Sequence, residues 1–258
     1  MDENDLFWPA PPVQVSLEGE SVHVWAVSLQ APDATLNCLA KTLAPAERRR
    51  AESFHFDRDR NRFMVGRGTL RTILGYYLRA QPSTIELTVG SHGKPLLAGR
   101  FSRSGWHFNL AHCEDLALLA VGRGCVVGVD LERIRLMDGA EEIAADFCSP
   151  REIAEFLSLP PSGRDAAFFR IWTRKEAWLK ATGIGIGESL ERVEVSFQAG
   201  QTACFVRLPE ESGAPAGAWS LLELTPAPGF VAALALPGKA REISCWQWKK
   251  NKEEFAYA

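Results

Sequence analysis

Apolar and polar positions change period several times along the chain, and each change marks an element. Val22 to Leu29 alternates with period two and predicts a strand. Residues 33–41 predict a short helix. Ala44, Pro45 and Glu47 open a second helix, with proline in the first turn where its missing N–H costs nothing. Phe63, Leu70, Ile73, Leu74 and Tyr77 keep helical spacing through a long helix over about 59–79. A strand near 85–89 then runs into the turn of Gly93, Lys94 and Pro95. From Trp106 the period returns to two, and 107–111, 116–121 and 126–132 read as an antiparallel meander. Helices follow over 140–147 and 150–157, the latter with Ser149 as N-cap and Glu152 closing a capping box. A further helix starts near Asp165 and stops at the glycines of 183–187; strands fill most of the remainder.

This order repeats. An offset of 105 residues pairs Val24 with Val129, Pro45 with Pro150, Phe63 with Phe168 and Leu74 with Leu179. The fold expected is therefore α/β (α+β), with two similar lobes over 1–122 and 123–258 joined near Gly122 to Gly124. The copies differ in charge. Trp25 and Val27 in the first stand where Asp130 and Glu132 stand in the second, and Leu70 and Arg71 stand where Lys175 and Glu176 do. Acidic chemistry belongs to one copy only.

The helix after Asp165 holds an anomaly. Phe168, Ile171, Trp172, Trp178 and Leu179 form one apolar face, with Arg170, Arg174 and Ala181 opposite, and Lys175 points into the middle of the apolar stripe. An unpaired ammonium is costly to bury, so either an anion waits for Lys175 or its chain snorkels to water. Glu176 and Lys180 sit one turn apart at the edge of the stripe, as a functional pair or as a surface ion pair. On the strand, Asp130 and Glu132 share a face and repel unless a proton or cation lies between them. Oxygen-only donors suit Mg²⁺, and Glu176 would supply a third carboxylate; the other reading is a solvated strand end. His112 lies at the turn of WHFNLAHC. The run Arg48, Arg49, Arg50, Arg58, Arg60, Arg62, Arg67 and Arg71 is either a set of solvated helix faces or a phosphate-facing patch.

Composition narrows the choice of class. With 258 residues, 46% of them hydrophobic, the chain has ample material for a core, and a net charge of −3 points to neither a nucleic-acid nor a membrane-surface binder. Six scattered cysteines without a C-x-x-C spacing read as reduced thiols, and no stretch reaches the ~18 apolar residues of a membrane span. The expected location is the cytoplasm.

FNLAHC at 108–113, GVDLERI at 128–134 and WTRKEAWLK at 172–180, in that order and spacing, resemble the 4'-phosphopantetheinyl transferases of the surfactin-synthetase-activating type. The resemblance implies a monomer of two pseudo-symmetric α/β lobes with coenzyme A and Mg²⁺, or Mn²⁺, in the cleft between them. It implies transfer of 4'-phosphopantetheine from coenzyme A to a serine of an apo acyl or peptidyl carrier protein, releasing 3',5'-ADP. By the same resemblance Asp130, Glu132 and Glu176 hold the metal. Lys175, Lys180, His112, Arg50, Arg62 and the turn of Gly93, Lys94 and Pro95 meet the coenzyme, and Glu176, Lys180 and His112 take part in catalysis, with Glu176 and Lys180 both open as the base. Ala111 and Cys113 replace two serines of the family pattern, which removes or weakens a hydroxyl contact to phosphate.

Overall fold

The computed structural model describes residues 6–12, 15, 21–90, 93–184, 190–210, 214–239 and 242–249. Its first half runs β1 (Val22–Ser28), α1 (Asp33–Ala40), α2 (Pro45–Glu52), α3 (Asp57–Leu78), the short hairpin β2 (Leu87–Val89) and β3 (Pro95–Leu97), then β4 (Trp106–Cys113) and β5 (Leu116–Arg123). Its second half runs β6 (Gly128–Arg133), α4 (Ala140–Ala145), α5 (Pro150–Ser158), α6 (Pro161–Thr182), the pair β7 (Glu194–Val195) and β8 (Phe205–Arg207), then β9 (Trp219–Leu224), β10 (Phe230–Pro237) and β11 (Ile243–Gln247). The repeat extends to hydrogen-bond register. In β1, His23, Trp25 and Val27 lie opposite Val121, Leu119 and Ala117 of β5. In β6, Gly128, Asp130 and Glu132 lie opposite Ala235, Ala233 and Val231 of β10. Strand, three helices, small hairpin and two returning strands thus occur twice, and α3 and α6 are both 22 residues long.

The lobes stack as four layers. Alternate residues of the sheet β11-β1-β5-β4, among them Val22, Val24, Ala26, Leu118 and Ala120, pack against Val129, Leu131, Ala232 and Leu234 of the sheet β6-β10-β9. The opposite faces carry the long helices. Trp25, Val27, Leu119 and Val121 bury Leu70, Ile73 and Leu74 of α3. Val231, Ala233 and Ala235 bury Phe168, Ile171 and Trp178 of α6.

Three expectations are corrected. The strands at 107–111, 116–121 and 126–132 do not form one meander: β4 and β5 pair, but β6 leaves for the second sheet and bonds to β10. A trace of the expected neighbourhood survives, because Asn109 Oδ1 of β4 accepts from the Val129 amide at 2.8 Å. The division at 122/123 does not hold at the C-terminal end, where β11 runs parallel to β1 on the edge of the first sheet. Finally, α6 has no solvated face along its second half. Arg174, expected opposite the apolar stripe, is buried, donating to Ser196 Oγ at 3.3 Å and to Glu223, because β7 and β9 cover that side as well.

Candidate active site

The acidic cluster forms where β6 passes beneath α6. Gly128 lets them meet: a Cβ there would stand 2.0 Å from the Ala177 carbonyl oxygen and 2.3 Å from the Ala181 amide nitrogen. Two residues along the same face, Asp130 reaches the last turns of the helix, where Lys180 Nζ donates to its Oδ1 at 2.5 Å. One helical turn back, Glu176 is buried beside them. Asp130 Oδ2 and Glu176 Oε1 are both enclosed with no hydrogen-bond partner among the described residues. Buried carboxylate oxygens left unbonded are costly. Burial pushes the Asp130 carboxyl up to about 7; Lys180 pulls it down, and Glu176 and Glu132 add to the rise. Burial raises Glu176 as well, opposed by Lys180 and reinforced by Glu132.

Glu132 stands apart from the other two. Its Oε2 accepts from Cys113 Sγ at 3.5 Å and lies 3.5 Å from an Arg135 nitrogen. Three adjacent carboxylates repel, and Glu132 turns to the cation within reach. No cluster of three or more His, Cys, Asp or Glu side chains among the described residues is drawn together as for a metal. Asp130 and Glu176 nevertheless fit a hard cation, since each offers an enclosed oxygen with nothing else to satisfy it.

Lys175 does have an anion, but not a coenzyme phosphate. Its ammonium, on a side chain 1% exposed, is 2.7 Å from Oε2 of Glu152, whose side chain is fully buried. Its other donors go to the carbonyls of Phe147 at 2.8 Å and Leu190 at 2.9 Å. All three ammonium hydrogens are used, so the lysine is withdrawn from the cleft and the expectation that it meets the coenzyme is corrected. The partner was visible in the sequence as the capping-box residue Glu152, which also accepts from the Ser149 amide at 2.9 Å. What periodicity did not show is that one glutamate does both jobs.

Beside the carboxylates, on the α3 side of the first sheet, lies a cavity of about 470 Å³ lined by Arg50, Arg62, Arg67 and His112 together with Phe54 and Phe63. Arg50 and Arg67 lie over the Phe63 ring at 5.2 and 5.9 Å. Arg62 is held by Asp115 at 2.7 Å. His112, exposed at the rim, has its pKa lowered by partial burial and then by Lys180 and Arg62, against Glu132, so it faces the cavity and the acidic cluster at once. Of the basic run, Arg50, Arg62 and Arg67 serve this cavity; Arg60 pairs with Asp57 and Arg71 is buried against Glu47.

The turn at Gly93, Lys94 and Pro95 lies elsewhere. Lys94 Nζ donates to the carbonyl of Lys180, and the small cavity it lines is shared with Trp106, His107 and Val127. The two replaced serine positions also point away from the arginines: Ala111 is in the core between the sheets, and Cys113 packs beside that core and against Glu132. Burial raises the Cys113 thiol to about 11, which leaves it protonated near neutrality.

Comparison with known proteins gives one consistent result. Residues 126–235 match a model described as the 4'-phosphopantetheinyl transferase superfamily, and residues 28–123 match a 4'-phosphopantetheinyl transferase N-terminal model. The 4'-phosphopantetheinyl transferase HetI of Nostoc sp. is 41% identical over 93% of this chain and 98% of its own. A phosphopantetheinyl transferase of Thraustochytrium sp. is 33% identical over 69% of this chain and 66% of its own. The 4'-phosphopantetheinyl transferase Sfp of Bacillus subtilis is 24% identical over 65% of this chain and 72% of its own.

Proposed function

The chain belongs to the 4'-phosphopantetheinyl transferase superfamily, and from that premise we propose a division of labour between its lobes in the transfer of 4'-phosphopantetheine from coenzyme A to a carrier-protein serine. The first lobe binds the coenzyme. Arg50, Arg62 and Arg67 take its phosphates in the cavity beside Phe63, planar guanidinium forks being suited to phosphate oxygens. The second lobe works at the scissile phosphoanhydride. Asp130 and Glu176, with Glu132 swinging in from Arg135, would hold Mg²⁺ or Mn²⁺, which when bound neutralises charge on the phosphate oxygens.

The observation that carries the reading is the unsatisfied, enclosed pair Asp130 Oδ2 and Glu176 Oε1 next to Lys180, the cation that also acts on His112. The serine oxygen bonds to the pantetheine-side phosphorus while the anhydride P–O bond breaks, and 3',5'-ADP departs with the electron pair. Lys180, anchored on Asp130, is placed to stabilise the charge that develops on the phosphates. Glu176 accepts the serine proton directly or through a water, with Lys180 the alternative base. His112, its pKa lowered, serves near pH 7 as a neutral hydrogen-bonding group at the phosphate.

The partner is an apo acyl or peptidyl carrier protein met briefly by a monomer. No helix among the described residues is long and apolar enough to cross a membrane. The test is to incubate the protein with coenzyme A and a panel of apo carrier proteins and weigh the products. One phosphopantetheine should be added per carrier, with 3',5'-ADP released in equal amount and chelator abolishing both. Release of 3',5'-ADP without any carrier, or coenzyme binding with no carrier modified, would reject the reading.

A further inference from the structure

Lys94 sends its side chain from one lobe to the other. The turn closes the β2–β3 hairpin of the first lobe, with the Gly90 amide donating to the Lys94 carbonyl at 2.8 Å and Gly93 in the left-handed region at φ 78°. From there the ammonium reaches the carbonyl of Lys180 in the last turn of α6, in the second lobe. That carbonyl needs a donor. The amide four residues on, Ile184, has left the helix and donates to Thr182 Oγ1 at 3.4 Å, while Gly183 donates back to Leu179. A cation at a helix C-terminus also meets the negative end of the helix dipole. A small cavity beside the lysine is lined by Trp106 and His107 of β4 and by Val126 and Val127 of the linker joining the two sheets.

The residue so capped is the one whose side chain holds Asp130. We propose that Lys94 is a positioning residue: from the coenzyme-binding lobe it caps the last turn of α6 and thereby fixes the Lys180–Asp130 pair for phosphoryl transfer. The inference rests on the transferase reading of that site, and it gives Lys94 a task other than touching the coenzyme. It also links the lobes mechanically. A displacement of the hairpin is transmitted to the Lys180 backbone and from there to the acidic cluster.

The test compares the full-length protein with Lys94→Met and Lys94→Arg, reading hydrogen exchange of the α6 C-terminal amides and, separately, kcat and KM for coenzyme A. Lys94→Met should speed exchange in the last turn of α6 by about tenfold, the equivalent of one lost hydrogen bond, without speeding it in α3. It should lower kcat by about tenfold and leave KM for coenzyme A within about twofold. Lys94→Arg, which still donates to a carbonyl, should recover most of both. Exchange unchanged in Lys94→Met overturns the proposal, as does a KM raised tenfold with kcat intact, which would make Lys94 a phosphate contact. If the wild-type protein transfers nothing, the transferase reading fails, and the exchange comparison still decides whether Lys94 caps the helix.

Discussion

The first and second lobes share one construction and differ in a handful of residues, which separates scaffold from chemistry. In both, a glutamate of the middle helix caps its own N-terminus and receives a buried cation from the long helix. Glu47 Oε2 accepts from the Ala44 amide at 3.0 Å and from Arg71 at 2.5 Å, and Arg71 goes on to the carbonyls of Pro82 and Ile85. Glu152 accepts from Ser149 and Lys175, and Lys175 goes on to Phe147 and Leu190. The described residues of the first lobe place no carboxylates on the strand face beneath, so a buried cation in this helix is a packing device. The lobes differ on that strand face, where the proposed chemistry lies. His23, Trp25 and Val27 fill that face in the first lobe, under Tyr77. Gly128, Asp130 and Glu132 occupy it in the second, where the missing side chain at Gly128 draws the backbone of α6 inward.

Breaking a lock should have the largest effect. Lys175→Met leaves the carboxylate of Glu152 buried without its cation, at a cost of about 3–5 kcal/mol in unfolding free energy read from the urea midpoint. Arg71→Met should cost less, because the Glu47 side chain retains 14% exposure and water can solvate it. Equal losses would mean the locks are not governed by burial. Adding Glu152→Gln to Lys175→Met should restore part of the stability, since no charge is then stranded.

Removing the chemistry while keeping the scaffold comes next. Glu176→Gln should lower transfer by about 100-fold, roughly 2.7 kcal/mol in the barrier, with the melting temperature unchanged or raised, because it removes a buried charge. Activity equal to wild type would shift the assignment to Asp130 and Glu132. Refilling the gap between strand and helix acts on the scaffold and the site together. Gly128→Ala should destabilise by about 1–3 kcal/mol, as α6 must lift away from β6, and should weaken transfer by separating Lys180 from Asp130. A fully stable Gly128→Ala protein would show that the close approach is not required.

Much of this was legible in the sequence, and the misses share a cause. The repeat, the positions of α2, α3 and α5, and the facing of Asp130 and Glu132 followed from periods of 2 and 3.6, which depend on local geometry alone. Arg50, Arg62, Arg67 and His112, scattered over three elements, could be nominated by charge and by the resemblance, but only the fold shows which of eight arginines share a cavity. Lys175 stands out in the sequence as a cation in an apolar stripe, with an anion or a snorkelling chain as the two ways to satisfy it, and the coenzyme expected as that anion is not its partner. Its anion is 23 residues upstream on another helix, and a tertiary ion pair leaves no periodic signal. The departure of β6 from the meander is equally non-local, because β1, far upstream, takes the edge of β5 that a meander would give to β6, and β6 bonds instead to β10, far downstream.

The smallest effect tests what the first lobe does with the face on which the second carries its carboxylates. His23 is buried, and Tyr77 links it to Trp25: the hydroxyl accepts from Trp25 Nε1 at 3.0 Å, so its own hydrogen is free for His23 Nδ1 at 2.8 Å. Nδ1 is then an acceptor, and protonating it would set two donors against each other in a site closed by Trp246. Burial accordingly lowers the His23 pKa to about 4. The unfolded chain, with an ordinary histidine near 6.5, binds a proton that the folded chain refuses, so this group's contribution is full above about pH 6.5 and is lost as pH falls towards 4. Between pH 7.5 and 5.5 the loss should be about 1 kcal/mol. Urea unfolding of the wild type and of His23→Gln at the two pH values should show it as the difference between their slopes, since Asp130, raised to about 7, gains stability over the same interval in both; His23→Gln, which keeps an acceptor but cannot charge, should also be less stable at pH 7.5. Gly128, on the corresponding face of the second lobe, has no such group; there Asp130, raised to about 7, gains stability as pH falls, so a loss that survives unchanged in His23→Gln would have to come from the other histidines with lowered pKa, His107 and His112, and would show that His23 is not the acid-sensitive group.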